Sequence, residues 1–343
     1  MSSKLKWRSL EYAQSRSPLS VIGLASNNER DVEMANTTVT ATLSPASNKT
    51  GQTVTARRFG VSDIPGAMDK MSWPVAAGLM RYWFKGNPWA TADGGMDELT
   101  KDHKKEPSDP YVESSIVKMA WVLKFERANK VFNELKAKWN SQNALFRMRK
   151  EFPAKFAGKV DGAYQQSFAS ARDAEKFGYT NTIPVETSNA NIFLLDELRG
   201  ALANFNMRVI AEGEIIIASG KISFLVNRLG YYINDSYDFS DVGNRFSQPL
   251  GYWNYDGVAD PIVSNGSNFL SAIGKAEMAR TAAMRGEDAQ AIFKDIDGKR
   301  YHLIQNSDFA EYRSTHGKGG DFTVYSDILY ESVTPPVLIK VVE

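Results

Sequence analysis

The stretch with the greatest potential for chemistry is YYINDSYDFSDVGNRFSQPLGYWN, residues 231–254. It carries two carboxylates, Asp235 and Asp238, with Tyr237 between them and Arg245 further on. Cleavage of a phosphate ester or anhydride places negative charge on the phosphoryl and leaving oxygens, and a fixed guanidinium or a divalent cation stabilises that charge. Arg245 can supply the guanidinium, while the two aspartates can hold magnesium or orient a water molecule. Phosphoryl chemistry is therefore the first hypothesis for this stretch.

The end of the preceding strand decides where the two carboxylates point. If the strand continues, Asp235 and Asp238 lie on opposite faces, whereas a turn after Asn234 brings them together. Tyr237 either hydrogen-bonds a phosphate or packs in the core. A structural alternative stays open, in which NDSYDFSD closes a hairpin, its aspartates bond to backbone amides, and Arg245 forms a surface ion pair.

The spacing of these residues resembles the signature of the colicin M family, Asp-x-Tyr-Asp-x5-His-Arg. Asp235, Tyr237, Asp238 and Arg245 match it, and Asn244 stands where the family has histidine. These bacterial toxins cut lipid II, the lipid-linked precursor of peptidoglycan, between its polyprenyl chain and its pyrophosphate. The resemblance implies that Asp235 and Asp238 assist water and magnesium and that Arg245 stabilises the pyrophosphate. It also places Tyr237 in the catalytic set.

The departure at Asn244 matters because an amide cannot accept a proton as a base at neutral pH. The chain has three histidines. His103 lies in a charged segment, which predicts a solvated surface position, and His302 lies in a strand, which predicts packing. His316, in STHGKGGDF, is the candidate to replace the family histidine, because the glycines after it permit close backbone approach to a ligand. Lys318 adds a cation suited to phosphate.

Two neighbouring residues complete the predicted site. We assign Asn244 to substrate binding together with Lys318. Gln248 either contacts the substrate or shapes a tight turn with Pro249 and Gly251, since proline fixes one backbone dihedral and glycine frees another.

Three stretches, YYINDSYDF, QPLGYW and YRSTHGKGGDFTVYSD, resemble a proteobacterial family encoded beside spike components of type VI secretion systems. This likeness covers most of residues 72–343. It implies a delivered antibacterial effector or an accessory protein of the spike. The expected life cycle is synthesis in the bacterial cytoplasm, secretion without a signal peptide, and action in the periplasm of a target cell. The expected partners are a spike or chaperone protein and a cognate immunity protein.

The composition argues against several function classes. Lys and Arg total 41 and Asp and Glu total 40, so no net field favours nucleic acid. The absence of cysteine removes disulfides, thiolate metal sites and cysteine nucleophiles. No apolar run reaches the roughly 18 to 20 residues needed to cross a bilayer, and residues 1–20 lack the apolar core of a signal peptide. The aromatic residues between Trp73 and Trp89 either make transient contact with a membrane surface or fill the core.

Composition and periodicity divide the chain into three regions. Residues 1–66 are rich in Ser, Thr, Asn and Ala, which predicts a flexible arm or linker. Residues 67–200 are predicted to be mainly helical. The expected helices are one that ends near Gly86, a long amphipathic helix from Glu113, and two more over 156–175 and 190–205.

Residues 201–343 are predicted to form an α+β region that carries the catalytic groups. Ser219-Gly220 and Asp297-Gly298 each separate two apolar runs, which indicates two hairpins. Further strands are expected over 321–332 and 336–343, and a helix over 267–286. The fold class is therefore α+β, with a helical N-terminal portion followed by a mostly antiparallel, β-rich C-terminal portion.

These observations favour a magnesium-dependent lipid II hydrolase that acts as an antibacterial toxin and binds no nucleic acid. The alternative from another class is a non-enzymatic adaptor or structural protein of a type VI secretion spike. It would explain the second resemblance without any turnover of substrate.

Overall fold

Short helices occupy much of the first half of the described chain. The computed structural model describes residues 59–186, 188–189, 192–193, 195–241, 247, 249–259, 293–296 and 298–342. The helices within these ranges are α1 Ile64–Lys70, α2 Pro74–Lys85, α3 Glu98–Lys101, α4 Met119–Val122, α5 Glu126–Lys138, α6 Gln142–Lys155, α7 Ala171–Phe177, α8 Glu197–Leu202 and α9 Asn306–His316.

Strands dominate the second half. They are β1 Val112–Glu113, β2 Gly162–Gln166, β3 Asn181–Val185, β4 Ser188–Asn189, β5 Ile192–Phe193, β6 Phe205–Ala218, β7 Lys221–Tyr237, β8 Pro249–Asn254, β9 Gly257–Val258, β10 Phe293–Ile296, β11 Lys299–Gln305, β12 Phe322–Tyr325 and β13 Leu329–Val342. This distribution confirms the predicted α+β class.

The central feature is a seven-stranded sheet built around β6 and β7. These two strands form the predicted hairpin, and Ser219 and Gly220 join them with φ of 51° and 78°, the left-handed pair that a tight two-residue turn requires. On its other side β7 pairs with β13 and then with β12, while β6 pairs with β3 and β2. All these pairings are antiparallel, and among the described strands only the short contact of β1 with β12 is parallel.

A second sheet of four strands follows the order β10-β11-β8-β9. The antiparallel pair of β10 and β11 confirms the second predicted hairpin, and Gly298 takes a φ of 73° at its turn. His302 lies on β11 with its ring 6.1 Å from that of Phe59, a packing position as predicted. The helix expected over 267–286 lies outside the described residues.

Most helices pack on one face of the large sheet and bury its aromatic side chains, while α7 packs on the other face against Tyr232. Trp83, on α2, is fully buried and makes edge contacts with Phe84, Phe239 and Phe309. The aromatic residues of this part of the chain therefore serve the core, the second of the two roles that the sequence allowed. Within the described residues, no helix is both long and apolar enough to cross a membrane.

The boundaries of the compact unit differ from those predicted. Residues from Phe59 onward form one unit. Phe59 and Ile64 are buried in its core, so the last residues assigned to the arm belong to the fold. No division occurs near residue 200, because α5 packs on β3 and β6 and α6 packs on β13. The amphipathic helices need the sheet to cover their apolar faces, which joins the two predicted regions into one.

Some predicted helices are shorter than expected. The long helix from Glu113 is broken, because Phe125 is extended between α4 and α5. Residues 156–175 contain β2 and only the start of α7, and residues 190–205 contain β5 and the short α8. β2 forms where the edge of β6 offers a row of backbone partners, so tertiary pairing overrides the local helical pattern.

Candidate functional site

The strand β7 carries the first part of the predicted motif and continues through Tyr237. Asp235 lies opposite Val324 of β12, and Tyr237 lies opposite Phe322. The chain therefore does not turn after Asn234, and of the two arrangements that the sequence allowed, the continuing strand is the one observed. Alternation along the strand places Asp235 and Tyr237 on the face that most helices cover, and Asn234 and Ser236 on the face that α7 and α3 contact.

Tyr237 is a core residue. Its ring stacks on Phe322 with centroids 4.9 Å apart and makes an edge contact with Phe239, and its hydroxyl lies 3.8 Å from the Sδ atom of Met80. Burial, assisted by the charge of Asp235, raises the pKa of this hydroxyl. Of the two roles considered for Tyr237, packing is the one that the structure shows.

Asp235 is a carboxyl group that favours its protonated form. Burial raises its pKa well above the usual range, and the charge of Asp238 adds to this, while a hydrogen bond from the Ser236 backbone acts in the opposite direction. A protonated carboxyl can donate a proton but is a poor ligand for a hard cation. Asp235 therefore fits the role of an acid better than the role of a metal ligand.

Asp238 is held by a lysine that the sequence did not single out. The Nζ atom of Lys101, at the end of α3, lies 2.8 Å from Asp238 Oδ1. Burial acts to lower the pKa of Lys101, but the hydrogen bond and charge of Asp238 outweigh it, and the pKa is raised. The hydroxyl of Ser236 donates to the Lys101 carbonyl at 3.0 Å, which fixes the backbone of α3 beside the strand. Lys101 is thus the cation beside the described part of the motif.

A buried carboxylate, Asp321, lies near the pair of Lys101 and Asp238. It accepts hydrogen bonds from Trp83 Nε1 at 2.8 Å, from the Met96 amide at 2.9 Å and from Arg313 at 2.6 Å. Burial raises its pKa, these three donors lower it, and the charge of Asp238 raises it further. Asp321 therefore lies close enough to Asp238 for the two charges to interact, but its oxygens are already used by the fold.

His316 and Lys318 do not join the aspartates. His316 is exposed at the end of α9, where its ring stacks on Tyr312 at 4.2 Å and its Nδ1 lies 3.0 Å from the Tyr312 carbonyl oxygen. Lys318 donates to Asn87 Oδ1 at 2.7 Å. The candidate to replace the missing histidine thus contacts its own helix, and Lys318 contacts the loop after α2.

The glycines after His316 serve packing rather than a ligand. Gly319 has a φ of 100°, and a Cβ atom there would lie 2.4 Å from the Trp83 ring. A Cβ atom at Gly320 would lie 2.3 Å from the Asn87 carbonyl oxygen. The close backbone approach that the sequence indicated is real, but the group approached is the protein itself.

The remaining predicted site residues, Asn244, Arg245 and Gln248, lie outside the described residues. The predicted pairing of Arg245 with the aspartates therefore stays a prediction. Among the described residues, no group of three or more histidines, aspartates and glutamates could hold a metal ion. The two motif aspartates alone do not fit magnesium, because Asp235 is buried on the opposite face of β7 and Asp238 is paired with Lys101.

Lys101 and Asp321 are the functional candidates that sequence reasoning missed. Both come from segments far from the motif along the chain, and each meets it only through the fold. The one signal in the sequence is the Asp that follows the glycines in HGKGGDF, at the start of the strand predicted over 321–332. Lys101 lies in a segment that appeared to be a solvated loop.

Comparison with known proteins gives a family but no activity. No curated protein and no solved structure matches the chain. A family model described as a family of unknown function, DUF6402, matches residues 59–341, which are nearly all of the compact unit. The chain therefore belongs to the DUF6402 family.

Proposed function

We propose that the protein is an antibacterial effector that hydrolyses lipid II at the linkage between its polyprenyl chain and its pyrophosphate. The observation that supports this is the ion pair of Asp238 with Lys101 at the end of β7. Burial raises the pKa of Asp235, whereas Asp238 forms an ion pair with Lys101. Asp238, beside Lys101, can accept a proton from water and return it to the leaving oxygen. Asp235 is buried on the opposite face of β7, so we leave it out of the proton transfer.

The proposed reaction is a hydrolysis in which the protons balance. A water oxygen bonds to phosphorus and loses a proton to Asp238. The bond from phosphorus to the polyprenyl oxygen breaks, and that oxygen takes the same proton back from Asp238. The Lys101 ammonium stabilises the charge on the phosphoryl oxygens, a role that the resemblance also gives to Arg245.

Substrate binding in this proposal involves the residues beside the motif. Asn244 and Gln248 are assigned to substrate binding, as predicted from their positions in the sequence. His316 and Lys318 have contacts elsewhere in the fold, so we leave both out of the proposed mechanism. Magnesium is retained as a hypothesis, and no step above depends on it.

The proposed biology follows the second resemblance. The protein is made in the bacterial cytoplasm, loaded onto a type VI spike or its chaperone, and delivered to the periplasm of a target cell. There it meets lipid II at the membrane surface. The producing cell is protected by a cognate immunity protein.

The test is to incubate the purified protein with labelled lipid II, with magnesium or with a chelator, and to separate the products by chromatography. We expect release of free polyprenol from the wild type and at least a 100-fold slower release from Asp238→Asn, since proton transfer by a positioned side chain contributes about 10² to 10⁴ in rate. Loss of activity with the chelator would support the magnesium hypothesis.

The matched control is Asp295→Asn. Asp295 is an exposed aspartate on the other sheet, and it is also ion-paired, through Oδ1, with an arginine, Arg300. We expect its activity to equal that of the wild type. Intact lipid II after incubation with folded wild-type protein, or equal rates in Asp238→Asn and the wild type, would refute the proposed hydrolysis.

The second candidate function is a non-enzymatic adaptor of a type VI spike. The adjacent α6 and β13 each present an exposed large apolar side chain, since Phe146 is 68% and Leu338 is 56% exposed. Exposed apolar groups on neighbouring elements suit a protein partner. Deletion distinguishes the two functions: loss of an adaptor abolishes secretion of a partner, whereas loss of a toxin abolishes only killing.

A further inference from the structure

The segment Asp97–Lys105, which contains α3, is a small body with its own hydrogen bonds. The backbone amides of residues 101–105 donate to carbonyls of residues 97–100. The Asp97 side chain accepts from the Thr100 amide and hydroxyl and from Lys105. Because these bonds are internal, the segment can move without breaking them.

Two contacts fasten this segment to the sheet at Lys101. They are the ion pair of Lys101 with Asp238 and the hydrogen bond from Ser236 Oγ to the Lys101 carbonyl. Beyond its last residue, Arg172 of α7 holds the following residues through Glu106 and the Pro107 carbonyl. The segment is thus held in its middle by Lys101, before its first residue by the bond of the Met96 amide to Asp321, and after its last residue by the contacts of Arg172.

The sheet face beneath the segment carries polar atoms without partners. Asn234 and Thr323 are each 1% exposed. Neither polar atom of the Asn234 amide has a hydrogen-bond partner, and neither has the Thr323 hydroxyl. Asn234 and Ser236 are two residues apart on β7, so their side chains point to the same face. Thr323 pairs with Ser236 across the sheet, so its side chain lies on this face too, beneath the segment.

These atoms disfavour the closed arrangement. A buried donor or acceptor without a partner costs free energy that is recovered when water or a ligand reaches it. Opening of the segment breaks the two contacts of Lys101, uncovers the buried Thr100 side chain and moves His103 away from Arg208. In return, water or a ligand reaches the face that carries Asn234 and Thr323. Strained or unsatisfied groups under a movable element are what a binding site with a lid requires.

The charges around this face are already compensated. Lys101 pairs with Asp238, and Arg208 pairs with Glu175 at 2.8 Å. His103, which the sequence placed at the surface, is partly buried beside Arg208, and burial together with the charge of Arg208 lowers its pKa to about 4. Its imidazole is therefore neutral at pH 7. What remains unused is the hydrogen-bonding capacity of a neutral amide and a hydroxyl.

We propose that the segment Asp97–Lys105 is a lid over a binding site for an uncharged ligand that carries neighbouring hydrogen-bond donors and acceptors, as a sugar with an acetamido group does. Asn234 and Thr323 are its binding residues, and Lys101 is the latch. The proposal does not depend on hydrolysis, because binding and opening are measured without any reaction.

The first test measures whether the polar atoms favour opening. Thr323→Val and Asn234→Leu keep the side-chain size and remove the atoms without partners. We expect each to raise the Tm by about 2 to 4 °C and to slow hydrogen–deuterium exchange of the amides of residues 98–105. Lys101→Met, which removes the latch, accelerates exchange in the same residues.

The matched control is Thr182→Val, because the Thr182 hydroxyl accepts a hydrogen bond from Arg208 at 2.9 Å. The same substitution at this partnered hydroxyl gives no rise in Tm. A fall in Tm for Thr323→Val would mean that its hydroxyl is satisfied in the closed form, and this would overturn the lid.

The second test uses N-acetylglucosamine at millimolar concentration as the probe. It raises the Tm of the wild type and leaves that of Asn234→Leu unchanged. Equal shifts in the two proteins, or no shift in the wild type, would overturn the assignment of this face to an uncharged ligand of this chemistry. Lipid II hydrolysis could still be observed in either case, so the two proposals fail independently.

Discussion

Replacement of Arg313 by methionine tests the buried ion pair that joins α9 to the start of β12. The side chain of Arg313 is 4% exposed and that of Asp321 is 0% exposed, and their atoms approach to 2.6 Å. Arg313 also donates to the Gly319 carbonyl at 2.8 Å. Removal of one partner leaves a buried carboxylate without its counter-ion, which costs about 3 to 5 kcal/mol. We expect Arg313→Met to lose this amount of unfolding free energy at pH 7.

The loss should depend on pH in a defined direction. Burial already raises the pKa of Asp321 in the wild type, and removal of the guanidinium raises it further. A carboxyl whose folded pKa exceeds its unfolded pKa gives stability at low pH that is lost as the pH rises through the folded pKa. The deficit of Arg313→Met is therefore smaller at pH 4 to 5 than at pH 7.

Urea denaturation at several pH values measures this deficit. The double variant with Asp321→Asn serves as the control, because the amide retains an acceptor for Trp83 Nε1 and carries no charge. We expect it to recover part of the stability at pH 7 and to show little dependence on pH. A deficit below about 1 kcal/mol, or one that does not change with pH, would refute a charged buried pair.

Three further predictions concern single residues. Gly319→Ala should lower the free energy of unfolding by about 2 kcal/mol or more, because alanine disfavours a φ of 100° and its Cβ atom would meet the Trp83 ring. Thermal unfolding measures this loss, and an unchanged Tm would contradict the close packing. Trp83→Phe should lower the free energy of unfolding by about 2 kcal/mol, because it removes the buried hydrogen bond to Asp321. Trp121→Phe removes a partly buried hydrogen bond to Glu197 and should lower it by less. Asp235→Asn should gain stability relative to the wild type as the pH rises above the ordinary range of a carboxyl, since the raised pKa of Asp235 costs the wild type stability there; parallel stability curves from pH 4 to 8 would contradict it.

The sequence predicted best where local chemistry determines the structure. Ser219-Gly220 and Asp297-Gly298 favour left-handed turns, so both hairpins were predictable. The predicted helix over 156–175 was wrong in its first part because β2 gains its backbone partners from β6, which is distant in the chain. Local patterns carry no information about such partners.

The candidate site shows the same limit. The two motif aspartates were found from their spacing, but the cation beside them is Lys101, which comes from a segment that resembles a solvated loop. Tyr237 matched the signature equally well and is a core residue stacked on Phe322. Spacing identifies which residue types are present, whereas the fold decides which of them face each other.

The network around Asp321 has a consequence for how the protein is made. Trp83 and the Met96 amide, both early in the chain, find their hydrogen-bond acceptor only in Asp321, and Gly319 fills the space against the Trp83 ring. On the ribosome the helical part must therefore wait, with its largest aromatic side chain uncovered, until synthesis has passed Asp321. Fragments that stop before β12 should therefore aggregate rather than fold.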